Sequence, residues 1–201
     1  MNDSRPESLR RCLRELLRLL NAADVEATVI GGIAASLLGH PRVTNDVDAL
    51  VLLPESDWKA FLDRAKKDGF PPRVRRPLEM ARETRMLLLR HKATRIPVDL
   101  MIGAIDYETD VVKRSKTIQS GNLFVPVPRP EDLIVMKAVA RRPRDMADIE
   151  GIVQAHAKLD LRRIRRLVRE FAAALDAPDI VTELESVLAR CRPRKGSQST
   201  D

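Results

Sequence analysis

The sequence has 201 residues, 44% of them hydrophobic and 3% aromatic, and its formal net charge is +7. This length and composition allow one packed domain with an appended module, and the lack of any uncharged apolar run of about 18 residues excludes a transmembrane helix. Cys12 and Cys191 are too few for a disulfide framework and the N-terminus lacks the apolar segment of a signal peptide, so we expect a cytoplasmic protein.

Helix and strand patterns alternate in the first part of the chain. Leucines recur at helical spacing over residues 8–20, with arginines between them, which predicts an amphipathic helix. The apolar run 27–30 predicts a short strand that ends in a turn at Gly31-Gly32. We then predict, in chain order, a helix over 33–38, a strand over 46–53, a helix over 54–67, irregular structure over 71–84, strands over 85–91 and 96–102, a helix over 107–116 and a strand over 123–127.

From Pro130 onward the patterns are helical throughout. Pro130, Glu131 and Asp132 are typical of a helix start. Helices are predicted at about 131–141, 145–156, 160–175 and 179–191. The predicted fold class is therefore α/β (α+β), with a mixed-sheet core over 1–128, a C-terminal helical bundle over 129–192 and a disordered tail over 193–201.

Two aspartates open the strand predicted over 46–53. Asp46 and Asp48 are two residues apart, so their side chains point to the same face of a strand. Neighbouring carboxylates repel each other unless a positive group lies between them, and Mg²⁺ binds carboxylates while keeping positions for substrate phosphates. Gly31-Gly32 provides a place where the backbone can approach a phosphate. The pattern predicts chemistry on a nucleoside triphosphate.

A third acid interrupts the apolar strand predicted over 96–102. A buried Asp99 needs a partner. One interpretation is a salt bridge to a neighbouring arginine, and the other places Asp99 on a strand adjacent to Asp46 and Asp48. In the second case, three carboxylates hold two Mg²⁺ ions, and Asp99 positions an attacking hydroxyl and accepts its proton.

These motifs together resemble the DNA polymerase β-like nucleotidyltransferase superfamily. The resemblance rests on Gly31-Gly32, the run Arg42-Val-Thr44-Asn-Asp46-Val-Asp48 and Val-Asp99-Leu, and it is greatest for the AbiEii-type branch of nucleotidyltransferase toxins. Lys137 and the run Arg-Pro-Arg-Asp145-Met-Ala-Asp148 resemble the later motifs of that branch, although Arg144 stands where the branch has lysine. The resemblance spans about residues 25–155.

The resemblance implies a role for each motif. Gly31 and Gly32 would lie against the phosphates of the triphosphate. The metal ligands would be Asp46, Asp48 and Asp99, holding Mg²⁺, with Mn²⁺ as an alternative. The superfamily more often has Gly-Ser at the glycine pair, so backbone N–H groups would replace the missing hydroxyl. The remaining assignments are Lys137 as a point charge on the triphosphate, Arg42 and Thr44 as a brace or phosphate contact, and Asp145 as a helix cap or an active-site residue.

The acceptor of the nucleotide is less constrained. The basic net charge and the resemblance favour RNA, in particular the 3′ end of tRNA, and the toxin branch implies a cognate antitoxin protein as a partner. The Arg-rich run 161–171 predicts either a core-packing helix with a solvated basic face or a surface that contacts RNA phosphates. Two alternatives stay open: transfer to a small molecule such as an aminoglycoside, and a non-catalytic module that binds a nucleotide or a partner.

Overall fold

A computed structural model describes residues 4–191 of the chain. Of these residues, those up to Leu37 and from Pro41 to Arg129 form one compact unit, and Leu38–His40 with the residues from Pro130 onward form a second. The predicted tail over 193–201 lies outside the described residues. Within the described part, no helix has the length and hydrophobicity needed to span a bilayer.

The first unit contains a mixed sheet, which confirms the predicted α/β (α+β) class. Its four strands stand in the order β1-β2-β4-β3, where β2 and β4 are parallel and the two outer pairs are antiparallel. The elements of this unit are α1 (Arg5–Ala22), β1 (Glu26–Val29), α2 (Gly31–Leu37), β2 (Val47–Leu52), a 3₁₀ turn (Glu55–Asp57), α3 (Trp58–Lys67), α4 (Pro77–Thr84), β3 (Met86–Arg90), β4 (Pro97–Ile102), α5 (Asp106–Lys113), β5 (Lys116–Ser120) and β6 (Leu123–Val127).

The two faces of the sheet differ in character along its central strands. One face carries Val47, Ala49 and Val51 of β2 beside apolar residues of β4, and all of them are buried. Because side chains alternate along a strand, Asp48 and Asp99 lie on the opposite face. Burial of the apolar face holds the register that places the two acids.

The structure corrects two of the predicted elements. Residues 77–84 were expected to be irregular but form helix α4, because Pro77 stands in its first turn, where a missing N–H has no cost. The helix predicted over 107–116 ends at Lys113, and residues 116–120 instead form β5, which pairs with β6 in a separate two-stranded sheet. Only Ile118 is apolar in β5, so the hydrophobic pattern did not reveal the strand.

The second unit is built from four helices in its described part, close to the predicted boundaries. They are α6 (Pro130–Ala140), α7 (Pro143–Ala155), α8 (Leu161–Ala174) and α9 (Asp179–Arg190), and α6 packs against the other three. Helix α8 begins where the Asp160 side chain accepts the N–H of Arg163. Its apolar face is buried through Ile164, Val168 and Ala172.

The Arg-rich helix α8 is partly neutralised within its own unit. Arg163 pairs with the buried Asp132 at 2.6 Å, and Arg165 forms two hydrogen bonds with Glu185. Residues 130–191 carry 11 basic and 11 acidic residues, whereas residues 1–129 carry 22 basic and 17 acidic ones. The positive excess of the described chain therefore belongs to the first unit and not to the Arg-rich helix.

Candidate active site

Asp48 and Asp99 face each other directly across the two parallel strands. They are register partners in the β2–β4 ladder, so both side chains point to the same face of the sheet. Each side chain is only partly buried. The structure thus brings together two of the three predicted acids through a pairing that joins residues 51 positions apart in sequence.

The glycine pair lies directly against the first of these acids. Gly31 has φ +64°, and a Cβ atom at that position would overlap the carboxylate of Asp48. The backbone N–H of Ile30 donates to the carbonyl of Asp48 at 2.9 Å. The absence of a side chain at position 31 is therefore what allows the turn after β1 to approach the carboxylate.

The loop before β2 folds back onto the same turn. A Cβ atom at Gly32 would lie 2.8 Å from Oγ1 of Thr44 and 3.0 Å from Nη2 of Arg42. The Thr44 hydroxyl donates to Oδ1 of Asp46 at 2.7 Å, and the backbone N–H of Arg42 donates to the Ser36 hydroxyl at 3.3 Å. These bonds brace the loop that carries Asp46, and a contact of Arg42 or Thr44 with phosphate stays a prediction.

Asp99 has an arginine partner that the sequence did not identify. Nη2 of Arg73 donates to Oδ1 of Asp99 at 2.5 Å, and the side chains are 27% and 23% exposed. A salt bridge to an arginine and a position beside the other acids were considered as alternatives for Asp99. The structure combines them, because the arginine binds Asp99 next to Asp48.

The three acids fit a divalent cation in donor type, and the strand register places two of them, Asp48 and Asp99, side by side. Their carboxylates belong to the hard oxygen ligands that Mg²⁺ prefers, and two of them stand opposite each other beside a glycine turn. In the described residues, however, no group of three or more His, Cys, Asp or Glu side chains is arranged to bind a metal. Asp46 bonds Thr44 and Asp99 bonds Arg73, so metal binding requires these side chains to rearrange.

In the second unit, Lys137 lies in a buried ion-pair cluster. Its Nζ atom donates to Oδ2 of Asp148 at 2.6 Å and to Oδ1 of Asp145 at 3.1 Å. Lys137 is 5% exposed and Asp148 is fully buried. The amine is therefore enclosed by the cluster and does not extend to solvent along its alkyl chain. Its charge compensates two carboxylates that have little access to water.

Asp145 makes a second contact outside this cluster, and His40 lies beside the cluster. Oδ2 of Asp145 accepts the N–H of Arg142 at 3.0 Å, so Asp145 caps the start of α7, as one of its two predicted roles required. Nε2 of His40 lies 3.7 Å from Oδ1 of Asp148, and a Cβ atom at Gly151 would contact the imidazole. The sequence predicts His40 only as a structural or exposed loop residue, because it does not show that Leu38–His40 packs against α7.

Comparison with known proteins identifies the family. A family model described as "Nucleotidyl transferase of unknown function (DUF2204)" matches residues 9–186, which is most of the chain. The chain belongs to this family. It is a nucleotidyltransferase, in agreement with the superfamily predicted from the motifs, and an NTP substrate follows from that activity. The comparison with curated proteins found no match.

Solved structures of nucleotidyltransferases share the fold. The chain is 17% identical to an antigenic nucleotidyltransferase-like protein from Paracoccidioides brasiliensis, with a TM-score of 0.55, covering 89% of this chain and 93% of that one. It is 13% identical to the lincosamide antibiotic adenylyltransferase LnuA, which was solved with lincomycin bound. The TM-score is 0.53, and the match covers 77% of this chain and 100% of that one. It is 12% identical to the antibiotic-resistance factor ANT(2″)-Ia, with a TM-score of 0.54, covering 83% of this chain and 92% of that one. These nucleotidyltransferases therefore share their fold with this chain.

Proposed function

We propose that this nucleotidyltransferase moves a nucleoside monophosphate from an NTP to the 3′ hydroxyl of an RNA. The acceptor oxygen forms a bond to the α-phosphorus, the bond from that phosphorus to the bridging oxygen breaks, and pyrophosphate leaves. The observation that carries the proposal is the Asp48–Asp99 pair beside the close approach of Gly31. The pair supplies two carboxylates on one face of the sheet, directly beside the backbone at Gly31.

The roles of the residues follow from their positions. The backbone N–H groups at Gly31 and Gly32 would bind phosphate oxygens, as the family resemblance implies. Gly32 is buried beneath Thr44 and Arg42, so this contact requires the loop that carries these two residues to move. The carboxylates of Asp46, Asp48 and Asp99 would hold two Mg²⁺ ions, or Mn²⁺ in their place, and the bound ions neutralise charge on the triphosphate. Asp99 orients the acceptor hydroxyl and accepts its proton.

The RNA acceptor is supported by charge near the proposed site. Within the described residues, the excess of basic over acidic residues lies in the first unit. The loop that carries Arg73 also carries the exposed Arg75 and Arg76, the latter paired with Glu79. A basic segment beside the acids suits the phosphates of an RNA end, including the 3′ end of tRNA. The ion pairs of α8 make that helix a weaker candidate for RNA contact.

Labelled NTPs test the proposal. We expect the protein, Mg²⁺ and total tRNA to yield labelled RNA with at least one of the four nucleotides, and Asp48→Asn to lose that transfer while keeping its fold. Asp63→Asn is the matched control, because Asp63 is an exposed acid of α3 that pairs with Lys59. Absence of transfer with all four nucleotides, or full activity in the Asp48→Asn protein, contradicts the proposal.

A small-molecule acceptor is the second candidate. It is favoured by the fold shared with LnuA, a lincosamide adenylyltransferase with lincomycin bound. The same labelled NTPs with lincomycin or an aminoglycoside, together with resistance assays in cells, separate this candidate from transfer to RNA. Labelled antibiotic without labelled RNA assigns the chain to the small-molecule class.

The resemblance to the AbiEii branch adds a biological prediction. If the enzyme is the toxin of a toxin–antitoxin pair, its expression alone arrests growth and Asp48→Asn removes the arrest. Co-expression of a neighbouring gene product that binds the enzyme would then restore growth. Normal growth of cells that express active enzyme contradicts the toxin assignment and leaves the transfer reaction standing.

A further inference from the structure

Arg73 stands in the same row of the sheet as the two paired acids. The N–H of Arg73 donates to the carbonyl of Leu88, Leu88 is the register partner of Asp99, and Asp99 is the register partner of Asp48. We propose that Arg73 is the resident counter-ion of Asp99, which a divalent cation must displace when the enzyme loads its substrate. This inference rests on the metal site of the proposed function.

The backbone holds Arg73 at this place. Pro72 forms a bridge with Leu89, the N–H of Arg90 donates to the carbonyl of Pro71 at 3.0 Å, and Arg73 bonds Leu88 at 2.9 Å. Residues 71–73 thus add a short stretch of pairing to the outer edge of β3. This pairing holds the backbone of Arg73 within reach of Asp99, unlike the backbone of a surface arginine on an unpaired loop.

The guanidinium and a cation compete for the same oxygen. Oδ1 of Asp99 already accepts the hydrogen bond from Arg73 at 2.5 Å. A divalent cation on Asp99 and Asp48 would stand close to the guanidinium, and two positive charges at that separation repel each other. The bond from Arg73 and a cation on Asp99 therefore oppose each other, and we expect Arg73 to release Oδ1 of Asp99 when the cation binds.

The triphosphate gives Arg73 another partner. The Arg73 side chain is 27% exposed, so it can turn away from Asp99 without breaking a packed core. A planar guanidinium binds phosphate oxygens as well as carboxylate oxygens. Arg73 thereby couples nucleotide binding to cation binding. Without nucleotide, it neutralises the charge of Asp99. With nucleotide, it moves to the phosphates, and the cation can bind Asp99.

Binding of Mn²⁺ to the nucleotide-free protein tests this inference without an activity assay. Electron paramagnetic resonance measures free Mn²⁺ in titrations of the full chain. We expect Arg73→Gln to bind Mn²⁺ about three- to tenfold more tightly than wild type, the range set by one nearby charge that is partly screened by solvent. Arg75→Gln is the matched control, since Arg75 is an exposed arginine of the same loop, and it should change the affinity far less.

Two more variants distinguish an effect of the Arg73 charge from a loss of folding. Arg73→Lys keeps the positive charge and should bind Mn²⁺ nearly as weakly as wild type, whereas Arg73→Met is a second neutral variant that should repeat the tighter binding. Thermal unfolding followed by circular dichroism identifies variants that do not fold. Adding Asp99→Asn to Arg73→Gln should remove the gain in affinity, because the oxygen under competition is then no longer charged.

The outcomes separate this inference from the proposed function. If Mn²⁺ binding requires Asp48 and Asp99 but is equal in the Arg73→Gln and Arg75→Gln proteins, the counter-ion role is wrong and the metal site stands. Weaker binding in folded Arg73→Gln and Arg73→Met also overturns it, because Arg73 then supports the site. If binding in every variant is indifferent to Asp48 and Asp99, the proposed metal site itself is wrong, and the inference falls with it.

Discussion

Gly31 and Asp48 are neighbours only because residue 31 lacks a side chain. A Cβ atom at position 31 would overlap the Asp48 carboxylate, and the φ of +64° there is strained for any L residue with a side chain. Any substitution of Gly31 therefore strains the backbone, because of the positive φ, and also displaces the Asp48 carboxylate, because of the overlap with the new side chain.

We predict that Gly31→Ala displaces Asp48 and lowers nucleotidyl transfer by about 100-fold, since small displacements of reacting groups cost that much. Gly69→Ala isolates the backbone cost, because Gly69 has φ +88° with no atom within 4 Å of the added Cβ. Both variants should lose about 1–2 kcal/mol of stability in urea unfolding from the left-handed backbone alone. Equal activity of the two variants would contradict a role for the close approach to Asp48.

We predict that Lys137→Met destabilises the protein by about 3–5 kcal/mol, because it leaves Asp145 and Asp148 buried without their cation. Urea unfolding measures the loss, and adding Asp148→Asn should restore part of it. Lys59→Met is the control, since its pair with Asp63 is exposed and worth less than about 1 kcal/mol. A Lys137→Met protein with full stability but no transfer would instead place Lys137 at the triphosphate.

The carboxyl of Glu15 predicts a pH dependence of stability. Burial acts to raise the pKa of Glu15, but hydrogen bonds from Arg11 and His91, and the charges of these two residues, outweigh it and lower that pKa from 4.5. A carboxyl whose pKa is lowered on folding stabilises the protein above its unfolded pKa, and this contribution is lost as the pH falls through the folded value.

Glu15→Gln should therefore be less stable than wild type near pH 7, and the difference should shrink as the pH falls below 4.5. Urea unfolding at a series of pH values measures it. Glu7→Gln is the control on the same helix, because Glu7 is more exposed and lies 4.0 Å from Arg14. A difference between wild type and Glu15→Gln that stays constant down to acid pH would show that the ion pair does not contribute as proposed.

The thiol of Cys12 should be unreactive in the native protein. Burial, with a smaller effect of the Glu15 charge, raises the pKa of Cys12 to about 12, so very little of the thiol is ionised at pH 8. We predict that Cys191→Ser, which leaves Cys12 alone, resists Ellman's reagent until it is unfolded. The Cys12→Ser protein should react in its native state through the partly exposed Cys191. Rapid native labelling of Cys12 would contradict its burial.

The site is partly readable from local sequence. The acids at 46, 48 and 99 each occur in short apolar runs whose period of two places alternate residues on one face, and this pattern does not depend on the rest of the fold. The glycine pair between a strand and a helix predicts a close backbone approach for the same local reason. Most of the strands and helices and the fold class followed from such signals, and the resemblance of the ordered motifs indicated the nucleotidyltransferase superfamily.

Tertiary structure alone decided the partners of these residues. The register that sets Asp48 opposite Asp99 arises from pairing of distant strands, and Arg73 reaches Asp99 because residues 71–73 pair with β3. Lys137 has two carboxylates around it because α6 packs on α7. Hydrophobic periodicity predicts which face of an element is buried, but it carries no information about which distant polar group will lie beside it, because that depends on how the elements pack.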